Sequence, residues 1–178
     1  DPYPPRATWT HTAAEAIAVV EALPEGAGED AAGSVHVAGR VVARREMGKA
    51  TFVDLQDASG RLQVLLRQNA VGPDDYALFG LVDLGDYVGF EGTPMRTRTG
   101  QPTVGATTWV MLAKALHAPP EKYHGLADAE IRQRRRYLDL IANEQTREVF
   151  RIRSKAVAAI RRFLDARRPD QARRHQRQ

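Results

Sequence analysis

The chain has 178 residues, 43% hydrophobic, 27% charged and 7% aromatic, enough apolar material for one compact core plus an extension outside it. The absence of cysteine excludes a disulfide scaffold, a thiolate zinc site and a cysteine nucleophile. No apolar run reaches bilayer length and the first residues lack the regions of a secretory signal, so a cytoplasmic protein with no membrane association is expected. Net charge is +4, but it is unevenly placed. Residues 1–33 carry one basic and six acidic side chains, 34–120 nine and eight, and 121–178 sixteen and eight. The basic C-terminal third fits nucleic-acid binding and equally a solvated arginine-rich helix face.

In chain order, residues 1–33 read as an N-terminal extension: a proline-rich start, a helix over Thr12–Leu23, then the loop PEGAGEDAAG. Thr12 and Glu15 have capping-box spacing, and Pro24 ends the run. Residues 34–117 alternate apolar and polar in short bursts, the period of strands. Strands are predicted at Val35–Arg45, Ala50–Asp57, Arg61–Arg67, Tyr87–Met95 and Thr103–Ala113, with a short helix at Pro73–Leu81. Three meandering strands, a helix and two more strands is the order of a five-stranded OB-fold, a small Greek-key barrel, although spacing alone also fits another small barrel. Residues 118–127 read as a linker, 128–168 as two helices, and 169–178 as a disordered polar tail.

Alternation assigns faces. Thr51, Val53 and Leu55 share one face of the second strand, and Leu62, Val64 and Leu66 one face of the third; these rows line the barrel. The other face then carries Phe52, Asp54, Gln56 and Gln63, with Arg40 and Arg44 assigned to it from the first strand. An aromatic on a polar face suits base stacking, an amide can read a base edge, and arginines can meet phosphate. The residues alone leave two readings of Phe52: a stacking platform, or a side chain covered by residues 1–33.

No independent catalytic constellation is present. The five histidines lack metal-ligand spacing, and no Ser/His/Asp order recurs. Asp54 and Asp57 point to opposite faces, and the run around Asp86 is a turn into a strand.

The runs AGRVVARREMGKATFVDLQDASGRLQV, DLGDYVGFEG with TRTGQPTV, and LAKALHAPPEKYHGLADAEIRQRRRYLDLIANEQTREVFRIRSKAVAAIRRFLDAR resemble class II lysyl-tRNA synthetases. Aspartyl and asparaginyl synthetases share the OB-fold and the RYLDL stretch, but EKYHGLADAE is the lysyl pattern. The resemblance implies an OB-fold that binds the anticodon loop of lysine tRNA, joined by a linker to the start of a catalytic domain. By position it makes Phe52 the aromatic that stacks on the central anticodon uridine and Gln63 the glutamine that hydrogen-bonds it. Arg40 and Arg44 become arginines of the same surface. Gln101 stands where the family has an acidic residue, which implies an altered contact with a neighbouring base. The resemblance ends after FLDAR, and neither later class motif, which in the family holds ATP, magnesium and lysine, occurs in these residues. A truncated copy is therefore expected, without cofactor and inactive in adenylation by itself. The alternative expectations are an interaction module, as a homodimer or paired with a full-length synthetase through helix Val149–Leu164, or a non-functional truncated gene product.

Overall fold

A computed structural model describes residues 8–24, 33–117, 119 and 128–167. The chain divides into two compact units, residues 1–118 and 119–178. The predicted proline-rich start, the loop after Pro24, most of the linker and the polar tail lie outside the described residues.

In the first unit, helix α1 spans Ala13–Ala22. The capping box is formed: Glu15 N–H donates to Thr12 Oγ1 at 3.3 Å, and Thr12 N–H to Glu15 Oε2 at 2.8 Å. Five strands follow, β1 Val35–Met47, β2 Ala50–Gln56, β3 Arg61–Arg67, β4 Tyr87–Arg96 and β5 Pro102–Ala113. Helices α2 Gln68–Val71 and α3 Pro73–Phe79 lie between β3 and β4; α2 was not expected. The strands pair in the order β1-β2-β3-β5-β4, and β4 returns to β1, so the sheet closes on itself. All pairs are antiparallel except β3 with β5. This is the predicted OB-fold order.

The inward rows are the predicted ones. Val53, Val64 and Leu66 are completely buried, and Val37, Leu55 and Leu62 nearly so. Each such side chain contributes about 1.5–3 kcal/mol relative to exposure. Ala13 and Ala16 of α1 enter the same core, and Phe79 of α3 packs against Phe90 and Trp109, with ring centroids 5.8 and 5.1 Å away. Gly48 (φ +63°) supplies the left-handed residue that the two-residue turn from β1 to β2 requires.

The run around Asp86 is the expected turn into a strand, β4, and Asp86 itself is buried there as an anchor. Its carboxylate accepts from Asp83 N–H at 2.8 Å, Ala115 N–H at 2.7 Å and Lys114 Nζ at 2.8 Å, which ties the end of β5 to the loop before β4. Burial by itself would raise this carboxyl, but the hydrogen bonds from Lys114, Ala115 and Asp83 outweigh it and hold it below the ordinary range.

One irregularity decides the site. The β1–β2 register shifts between Val41 and Ala43. Before that bulge Arg40 lies opposite Gln56; after it Arg44 lies opposite Val53, and Arg45 opposite Phe52. A bulge inserts one residue and so exchanges the two faces of the strand beyond it.

Among the described residues the second unit holds three helices rather than the predicted two: α4 Ala129–Arg134, α5 Arg136–Ala142 and α6 Glu144–Ala166. The chain breaks at Arg135 (φ −116°, ψ 55°). With that break, Arg132 Nε and Arg136 Nη1 both reach the buried Asp139 carboxylate, at 3.0 and 2.8 Å. Helix α6 starts on an Asn143 cap, and its apolar positions Val149, Ile152, Ile160 and Phe163 stay exposed.

Candidate nucleic-acid interface

The register of the ring lays the outward residues of four strands in transverse rows. On β2, Ala50, Phe52, Asp54 and Gln56 are half-buried and alternate with the buried Thr51, Val53 and Leu55. Across the β2–β3 pairing, Phe52 faces Leu65 and Asp54 faces Gln63. Across β3–β5, Leu65 lies beside Gly105, and Gln63 beside Thr103. One row is therefore Arg45, Phe52, Leu65 and Gly105; the next is Asp54, Gln63 and Thr103.

Polar contacts tie these rows. Arg45 Nη2 donates to Asp54 Oδ1 at 3.1 Å, which holds a half-exposed guanidinium beside the Phe52 ring's strand position. Thr103 Oγ1 donates to Gln63 Oε1 at 2.9 Å. Gln63 and Leu65 are 7% and 6% exposed, so this part of the outer face is a shallow, largely dry floor. Reading β3 by alternation as half solvated misses this: Gln63 and Leu65 are buried although they pair with the half-buried Asp54 and Phe52 of β2. Where a Cβ on Gly105 would lie, Met95 Sδ is only 3.0 Å away.

Gln101 is brought to the same neighbourhood. It is exposed at the end of the β4–β5 loop, where its N–H donates to Thr97 Oγ1 at 3.1 Å and Gly100 takes φ +82°. Its carbonyl lies 3.2 Å from Thr103 Oγ1, so Gln101 adjoins the Gln63 row.

Two expected arginines are not brought there. Arg44 is on the other face, because the bulge reverses alternation before it. Its Nη1 donates to Gly80 O at 3.1 Å and Val82 O at 2.6 Å, and its guanidinium lies 5.7 Å from the Phe79 ring. It also pairs with Glu46. These contacts tie it to the chain leaving α3. Arg40 keeps the outward face but lies opposite Gln56, four residues from Phe52, about 13 Å along the strand. There it donates to Gly85 O at 3.1 Å and Tyr87 Oη at 3.0 Å, and stacks 4.5 Å over the Tyr87 ring. Arg45 takes the place assigned to Arg44. Nothing in VVARRE marks which arginine of the pair turns outward, since the bulge is a property of the pairing. Thr103 was equally hidden, forty residues from Gln63.

The described part of the N-terminal extension packs elsewhere. Ala13 N–H donates to Asp57 Oδ2 at 2.8 Å and Ala14 N–H to Ser59 Oγ at 3.0 Å, so the β2–β3 turn caps α1. At its other end Glu21 O accepts from Arg96 Nη2 at 3.1 Å. Phe52 remains half-buried with α1 in place. Among the described residues no group of three His, Asp or Glu side chains could hold a metal, and no helix is long and apolar enough to cross a membrane.

A closed five-stranded ring whose outer face carries an arginine on β1, an aromatic on β2 and an amide on β3 defines a class of protein. Residues 35–112 match the OB-fold nucleic acid binding domain of the tRNA anti-codon type. The chain is more particularly similar to lysine–tRNA ligases. It is 50% identical over 131 residues to the lysine–tRNA ligase of Pelotomaculum thermopropionicum, covering 74% of this chain and 26% of that protein. With the enzymes of Dehalococcoides mccartyi and Bacillus subtilis it is 43% identical over 166 and 165 residues, 93% of this chain and 33% of each. Residues 35–112 thus match an OB-fold nucleic acid binding domain, and the chain is similar to part of the lysine–tRNA ligases, spanning about a third of the length of these curated relatives or less.

Proposed function

We propose that residues 35–112 bind the anticodon loop of lysine tRNA. The observation that carries this is the conjunction, across neighbouring strands β1, β2, β3 and β5, of half-buried Phe52, the Arg45–Asp54 pair and the Gln63–Thr103 pair. Phe52 offers a ring for base stacking. Gln63 supplies hydrogen bonds to a base edge. Arg45, half exposed and steered by Asp54, supplies charge for phosphate or a base carbonyl. Gln101, neutral and exposed beside them, serves a neighbouring base. Arg40 and Arg44 have no direct part: their guanidinium groups are already committed to Gly85 and Tyr87, and to Gly80 and Val82.

The test is binding of the full chain to an anticodon stem-loop carrying UUU, compared with a scrambled loop of the same length. Tighter binding to UUU is expected, and equal binding to both overturns the reading. The proposal places no ATP or magnesium site in these residues, and lysine-dependent ATP–pyrophosphate exchange by the purified chain would contradict that.

The exposed apolar face of α6 favours a second reading, an interaction module. Val149, Ile152, Ile160 and Phe163 would dock on a second copy or on a full-length synthetase. Sedimentation of the chain alone and mixed with a full-length lysine–tRNA ligase checks it, and a monomer in both runs rules it out.

A further inference from the structure

We propose that Thr103 is a positioning residue that sets which end of the Gln63 amide meets a base, and through it the choice of uridine over cytidine. This rests on the reading of Gln63 as a base contact. A glutamine amide has an acceptor end and a donor end of nearly the same shape. The backbone pairing of β2, β3 and β5 fixes where Gln63 lies, but not which end points outward.

Thr103 decides that. Its hydroxyl donates to Gln63 Oε1 at 2.9 Å, and the competing acceptor, Gln101 O, is farther away at 3.2 Å. Thr103 is completely buried and Gln63 is 7% exposed, so bulk water does not compete for that proton. With Oε1 occupied, Nε2 and its two N–H donors form the free end. Arg44 Nε is the one buried side-chain polar atom without a partner among the described residues. The Gln63 Nε2, which also has no partner, therefore keeps an opening on the outer face. A donor aimed from there meets the carbonyl oxygen at position 4 of uracil and opposes the amino group at position 4 of cytosine. If the hydroxyl proton were directed to Gln101 O, the amide would turn, Nε2 would donate to Thr103 Oγ1, and the acceptor end would face the base. One hydroxyl proton thus selects between two opposite base preferences.

The experiment measures affinities of the full chain for stem-loops carrying UUU and for versions with a single uridine replaced by cytidine. In the unmodified chain one position shows the strongest uridine preference. At that position Thr103→Val is expected to cut the preference about fivefold, the order of one neutral hydrogen bond, and Thr103→Ser to retain it. Gln63→Ala should abolish the preference, and adding Thr103→Val to it should change nothing more. Thermal unfolding confirms that each variant is folded; if the valine variant has no transition, Thr103→Ala carries the same test, since it too removes the proton. Thr103→Val weakening both RNAs alike, or keeping the preference that Gln63→Ala loses, overturns the inference while leaving Gln63 as the reader. A preference unchanged in Gln63→Ala removes the reading of Gln63 and the role of Thr103 with it.

Discussion

The strand ring and the C-terminal helical unit are built from similar side chains, valine, isoleucine, leucine and many arginines, and place them in opposite ways. In the ring Val53, Val64 and Leu66 have no solvent contact, while in α6 Val149 and Ile160 are 63% and 59% exposed. The ring's Arg40 and Arg44 are bound to backbone carbonyls and aromatic rings. In α6, by contrast, Arg151 pairs with Glu148 between two half-exposed side chains. A closed sheet supplies both walls of its own core. A single long amphipathic helix supplies one wall, so what holds the second unit together is local: caps, helix propensity and the Asp139 contacts. The ring can therefore keep a precise outer face without help, whereas α6 presents a face with nothing against it among the described residues.

The widest separation between the regions is expected in core truncation. Leu62→Ala, at a position 2% exposed, should destabilise the ring by about 2–5 kcal/mol in denaturant unfolding. Ile152→Ala, at a 57% exposed position of α6, should stay within about 0.5 kcal/mol. Comparable losses at both positions would show that the α6 face is covered in solution.

Asp139 tests whether the helical unit depends on a buried carboxylate. Burial would raise this carboxyl, but hydrogen bonds from Arg132, Thr146 and Arg136 prevail and hold it below its ordinary value of 3.8. A group lowered on folding adds stability that is present above its unfolded value and lost as pH falls toward and through its folded value. The helical unit should therefore weaken below about pH 3.8, read by hydrogen exchange along α4–α6. Asp139→Asn should cost about 1.5–3 kcal/mol at neutral pH and remove that acid sensitivity. An unchanged acid profile in the variant would assign the sensitivity to other carboxylates.

Phe52→Ala addresses function without the fold. It should weaken binding to a UUU stem-loop by about 1–3 kcal/mol and leave unfolding nearly unchanged. Unchanged affinity would show that the ring does not stack on a base.

The smallest effect is expected where the chain is most basic. Arg134 pairs with Glu130 at 2.7 Å, but the two side chains are 78% and 68% exposed, so the pair contributes little. Replacing Arg134 and Arg135 by alanine should change stability by less than about 0.5 kcal/mol. If these arginines touch phosphate, each loss lowers the salt slope by about one unit for all RNAs alike. Gln63 replacement should leave the slope unchanged and alter only base preference. A slope unaffected by the double substitution would confine RNA contact to the ring.

Much of this was legible in one dimension. The Thr12–Glu15 box, the alternation through Thr51–Leu55, the inward row of Leu62, Val64 and Leu66, and the order of strands and helix follow from rules reaching a few residues, and the structure follows them, although Gln63 and Leu65 on the opposite face of β3 are buried as well. Phe52 was placed outward by the same alternation. The break at Arg135 was not legible, because RQRRRYLDL has unbroken helical spacing and the contacts to Asp139 form only in three dimensions.

The sequence by itself determined which residues are apolar, how often they recur, and therefore which elements form and which faces of β2 and β3 turn inward. Only the tertiary structure decided which arginine reaches the Phe52 row and which end of the Gln63 amide stays free. The bulge at Val41–Ala43 is a choice of register between two strands, and the Thr103 contact joins residues forty apart. Both depend on the closure of the ring, where each strand's position is set by its neighbours on either side, and local spacing carries no record of that.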